Sequence, residues 1–166
     1  MDSGGAVEFV KLFGGLSGIC SVAFLILEKF TKHYPVAFIE ARPLIDGSRN
    51  IVPFLYLKNV SERPILISWP DGDLSRFRVA RDDSIDGILA TMFEGETTIS
   101  LSAGADAVLP LHRPRSYEEI DPENVLEWIA TWQLAQPILW RTPRKLRVQI
   151  RKRDFEALID GYVAKH

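Results

Sequence analysis

Leu12 to Leu27 is a run of sixteen residues without a charge, LFGGLSGICSVAFLIL. Such a run either crosses a membrane or fills a core, and either fate limits what the rest of the chain can do. A helix from Phe9 to Leu27 would be about 28 Å long, against a hydrocarbon core of about 30 Å. Lys11 lies within a turn of one end and can snorkel to the interface, where Glu8 can pair with it. Phe30 and Tyr34, beside Lys29, Lys32 and His33, suit the opposite interface. The expectation is an N-terminal segment, residues 1–34, holding a single transmembrane helix over about 9–28.

A cleaved leader fits less well. The chain opens Met1-Asp2-Ser3-Gly4-Gly5 rather than with basic residues, and Glu28-Lys29-Phe30 follows the run where a small-x-small site would stand. Cys20 is preceded by Ile19, not by the small residue a lipid-modified Cys follows. Gly14 and Gly18 form a GxxxG pair that Ser21 continues, a stripe that lets two helices approach closely in lipid and so allows a homo-oligomer. Lys29, Lys32, Arg42 and Arg49 outweigh Lys11 on the other side, which places the C-terminal domain in the cytoplasm. Asn59-Val60-Ser61 matches a glycosylation sequon, but its surroundings read as a turn between strands.

After Pro35 the texture changes to short apolar runs broken by turn residues. Strands are expected at 36–41, 51–58, 64–69, 76–80, 87–93, 97–102, 105–111, 125–134 and 146–151. Leu146, Val148 and Ile150 alternate with Arg147, Gln149 and Arg151, so one face of that strand points inward. Ser116 and Glu119 have capping-box spacing for a short helix. Asp154 suits the N-cap of a helix at 154–164, whose Phe155, Leu158, Ile159 and Tyr162 share one face. FLYLKNVSERPILISW and TTISLSAGADAVLPL each read as strand, turn, strand. In these pairs the chain resembles immunoglobulin-like, fibronectin-like sandwich domains, without the Cys…Trp…Cys signature of antibody domains. The resemblance implies a mainly β fold: an antiparallel sandwich over residues 35–166, closed by the C-terminal helix.

The motifs for chemistry are incomplete. Asp82, Ser84, Asp86 and Gly87 have the residue types of a calcium loop, but Phe93 stands where the bidentate Glu belongs. One Cys and three scattered His argue against a zinc site. Neither a phosphate loop nor a nucleophile elbow is present in the sequence, and His112 has no His or Cys beside it. Glu118 and Glu119 belong to a solvated run. The expectation is a protein without catalytic residues, metal or cofactor.

Charge is unevenly placed. Residues 71–127 hold thirteen acids against five bases, a net of −8, whereas 141–153 hold seven bases and no acid. Arg144, Arg147, Arg151 and Arg153 form a basic stripe, readable either as a charge-protected edge strand or as a contact for anionic lipid. No aromatic platform is interleaved with these bases, which argues against nucleic acid. Taken together, the sequence reads as a membrane-anchored, non-enzymatic binding domain that contacts a protein partner or anionic lipid. The competing reading is a soluble accessory or structural subunit whose N-terminal helix packs into a larger assembly.

Overall fold

A computed structural model describes residues 21, 22, 24, 34–43, 51–82, 84–93, 95–135 and 143–163. The chain divides into two units, Met1–Tyr34 and Pro35–His166. In the first, Ser21, Val22 and Phe24 are helical and exposed. The rest of the expected span, with Gly14 and Gly18, lies outside the described residues. Among the described residues no helix is long and apolar enough to cross a membrane.

The second unit is mainly β. Its strands are β1 (Val36–Pro43), β2 (Ile51–Lys58), β3 (Ile65–Asp71), β4 (Arg78–Val79), β5 (Gly95–Leu101), β6 (Asp106–His112), β7 (Val125–Leu134) and β8 (Arg144–Arg151). Two helices, α1 (Ile85–Ala90) and α2 (Lys152–Val163), and a single 3-10 turn at Tyr117–Glu119 complete the described elements. The strands form two four-stranded sheets, in the orders β1-β2-β6-β4 and β5-β3-β7-β8. Every pairing is antiparallel.

Period-two alternation supplies the core from both sheets. Leu55 and Leu57 of β2 and Leu109 and Leu111 of β6 face Ile65, Ile67 and Trp69 of β3 in one apolar cluster, joined by Leu126, Trp128, Ala130 and Trp132 of β7. The alternate residues of β7 remain at least partly exposed, as a sheet with one solvated face requires. Trp69 and Trp128 meet with ring centroids 5.8 Å apart. Trp69 also donates from Nε1 to the Val79 carbonyl at 3.0 Å, tying β3 to the short strand of the other sheet.

The two strand-turn-strand stretches differ from hairpins in an instructive way. In each, the two strands belong to opposite sheets: β2 passes to β3, and β5 passes to β6. The two crossings lie together, and Asn59 joins them. It is fully buried. Its Nδ2 donates to Arg63 O at 2.8 Å, Leu101 O at 3.1 Å and Ser102 O at 2.9 Å. Its Oδ1 accepts from Ser61 N at 3.0 Å and Ser61 Oγ at 2.7 Å. Gly104, at φ +71°, supplies the left-handed residue of the second crossing. The sequon is therefore a structural corner: the amide a glycan would need is enclosed and already bonded.

Four local expectations are corrected. The strand at 76–80 shortens to Arg78–Val79, because this segment bridges the sheets: Phe77 N donates to Glu127 O of β7 at 3.1 Å, and Ala80 N to Pro110 O of β6 at 3.0 Å. The strand at 87–93 is helix α1 and its exit turn. Ser84 caps α1 by accepting from Gly87 N, and the apolar residues there follow a three-to-four spacing rather than alternation. Ser116 makes no side-chain cap, so the capping box is not formed. Finally, α2 begins at Lys152, not Asp154, because Lys152 N and Arg153 N are bonded at 3.0 Å to Asn124 O and Pro122 O. Backbone carbonyls take the place of a side-chain cap, and Asp154 sits in the first turn.

Candidate functional site

The basic stripe is built on β8, which among the described strands pairs with β7 alone and so stands at one end of its sheet. Leu146 and Val148 are buried, while Lys145, Arg147, Gln149 and Arg151 are exposed on the outer face. The register sets Arg147 opposite Ile129 and Gln149 opposite Glu127. Glu127 gathers three neighbours: Arg76 at 3.3 Å, Arg147 at 3.6 Å and Gln149 at 3.3 Å. Glu123 takes Arg151 at 3.8 Å and also pairs with Arg153. Arg144 lies over the ring of Trp132, 5.4 Å from its centroid. Arg147, Arg151 and Arg153 are thus gathered around two glutamates, whereas Arg144 has the parity of Leu146 and Val148 and lies on the other face of β8. Each of these exposed pairs contributes little to stability.

Lys152 behaves differently from its basic neighbours. It is buried, with Nζ donating to Ile120 O at 2.8 Å and lying 4.8 Å from the Tyr117 ring centroid. It seats α2 on the 3-10 turn and is not part of the exposed stripe. Sequence counting alone cannot separate it from the others; only its place after the last inward strand residue marks it.

Beside β8 runs β1, one of the two end strands of the other sheet. Ala37, Phe38 and Ile39 of β1 and Arg147, Val148, Gln149 and Ile150 of β8 line an open cleft of about 390 Å³. Its apolar residues come from both edges, and its rim carries Arg147. The sequence pointed to the cations but not to this cleft, because the approach of β1 to β8 is a tertiary fact.

The acidic turn serves a local purpose. Asp82 accepts from both Ser84 N and Ser84 Oγ, and these bonds hold its carboxyl below the usual carboxylate range. A Cβ at Gly87 would stand 2.3 Å from Asp82 Oδ1, so a larger residue there would have to displace the Asp82 carboxylate. Asp83 and Glu94 lie outside the described residues. Among the described residues, no group of three or more His, Cys, Asp or Glu is placed to hold a metal ion. His112 is half-buried beside Arg78, and burial followed by the Arg78 charge lowers its pKa, favouring the neutral ring.

One surface escaped the sequence reading. Ile85, Leu89, Met92 and Phe93 are 77%, 45%, 58% and 66% exposed around α1, with no residue of that helix buried. Their spacing of three to four was the available signal. Compared with known proteins, the chain matches no family model and no curated protein sequence.

Proposed function

We propose that this chain is a single-pass membrane protein whose β domain works by binding rather than by catalysis, with the β8 edge as its contact surface. The observation that carries this reading is the edge itself. A strand with alternate residues buried and basic borders an open cleft and has no described strand on its far side. Such an edge offers both charge and a row of backbone donors and acceptors. A protein partner uses both kinds of group, whereas lipid headgroups use only the charge.

The anchor is the segment at about 9–28, with Gly14 and Gly18 as its helix-association face and the β domain on the cytoplasmic side. The exposure of Val22 and Phe24, 57% and 67%, supports a helix whose apolar side chains turn outward into lipid. The adjacency of β2 with β6 and of β3 with β7, in two facing sheets, supports the immunoglobulin-like reading of the domain.

Alkaline carbonate extraction of membranes carrying the full chain tests the anchor. The full chain is expected in the pellet, and a variant lacking residues 9–28 in the supernatant. A full chain released by carbonate would overturn the anchor and favour a helix packed into a larger assembly.

A further inference from the structure

We infer that the β8 edge accepts an acidic, extended peptide segment of a protein partner as an added antiparallel strand. The inference rests on the reading of this edge as the contact surface and names what it takes.

Three features converge. First, β8 hydrogen-bonds to β7 on one side and to no described strand on the other, so its outer row of backbone groups is the template for strand addition. Second, the cleft between β1 and β8 opens along Arg147–Ile150. A strand laid against β8 would send alternate side chains toward that cleft, where Ala37, Ile39, Val148 and Ile150 offer apolar surface. Third, the remaining side chains of an added strand would fall on the face that carries Lys145, Arg147 and Arg151. Cross-strand neighbours of opposite charge stabilise a pair and like charges oppose it. An alternating acidic and apolar segment therefore satisfies both faces. A second copy of β8 does not, since pairing it with itself would bring these same cations together.

The probe is an eight-residue peptide alternating Glu and Val, titrated against the full chain in a zwitterionic detergent by fluorescence anisotropy. Its controls are the Lys–Val counterpart and a Glu–Val peptide N-methylated at alternate residues on its pairing edge. The Glu–Val peptide is expected to bind. The N-methylated form should lose binding, because the donors of one edge are gone. In the double variant K145E/R147E, affinity for the Glu–Val peptide should fall about tenfold. The Lys–Val peptide should then bind instead, which also shows that the variant is folded. Charge-dependent binding that N-methylation leaves intact would overturn strand addition while keeping the edge as a contact surface. If neither the peptides nor phosphatidylglycerol nanodiscs bind, or if charge reversal changes nothing, the edge is not a contact surface and both readings fall. Self-association that the peptide displaces would assign the edge to a second copy and overturn the proposal. So would a basic edge that engages phosphatidylglycerol nanodiscs but no peptide, by assigning it to lipid.

Discussion

The two helices of the β domain are held by opposite means. α2 is anchored by tertiary packing. Phe155 is fully buried, its ring 5.0 Å from Phe77 and 6.0 Å from Tyr117, and Ile159 packs against the same core. Its first backbone donors go to carbonyls of the loop before β7. Helix α1 buries no residue and is defined by its own residues: Asp82 holds Ser84, and Ser84 holds Gly87 N at 3.0 Å. A six-residue helix is too short to stand on propensity. The difference separates a helix that is part of the core from one set by its cap, and substitutions should divide them.

Phe155→Ala should have the largest effect, destabilising the whole domain by about 3–5 kcal/mol through lost burial and the cavity left behind. Denaturant unfolding would read this as a lower midpoint for the single cooperative transition. A value near zero would mean that α2 rests on the sandwich without belonging to its core.

Tyr117→Phe should come next. It keeps the ring beneath α2 but removes the hydroxyl that donates to Glu156 Oε1 at 3.2 Å, a loss of about 1 kcal/mol at neutral pH. Burial, followed by the nearby Glu156 charge, pushes the Tyr117 phenol up from 10.0 to about 12. The fold therefore favours the protonated phenol. That contribution is full below pH 10.0 and is lost as pH rises toward about 12. The difference in stability between wild type and variant should shrink across that alkaline window. A constant difference would show that the phenol does not titrate with the fold.

Ser84→Ala should have the smallest global effect. Loss of an N-cap costs about 1 kcal/mol of helix stability. Because α1 buries nothing, this cost should appear as faster amide exchange within Ile85–Ala90, with the unfolding midpoint of the domain nearly unchanged. A shift as large as that of Tyr117→Phe would mean that α1 is coupled to the core.

What could be read from the sequence follows the same division. In β7 and β8 each residue's fate is set by the pleat, so alternation marked Leu146 and Val148 as inward and Arg147 and Arg151 as outward. The mainly β class, the two antiparallel sheets and the short C-terminal helix were legible for that reason. The segment at 76–80 was not, because a bridge between sheets satisfies its backbone from two directions and keeps only part of a strand's pairing. Nor was α1, where a two-residue and a three-to-four-residue period compete within a short apolar stretch. Of the candidate site, the cations were visible and the cleft was not, since β1 and β8 are distant in sequence. Lys152 shows the limit from the other side: seven bases in a row of thirteen residues look alike until burial singles one out.

The arrangement of the sheets also orders events in time. Among the described strands, only β1 with β2 and β7 with β8 pair as neighbours along the chain; β2 must find β6, and β3 must find both β5 and β7. On a ribosome, the first sheet cannot close until residues 106–112 emerge, and the second cannot close until β8 follows β7. Until β5 and then β7 emerge, β3, with Ile65, Ile67 and Trp69 destined for burial, lacks the strands that will flank it. Pairings of this reach put the domain among slow folders, whose nascent edges stay exposed while synthesis catches up. The Asn59 corner needs only Leu101 and Ser102, which emerge ahead of β6, β7 and β8, so it can clasp the two crossings before either sheet is closed.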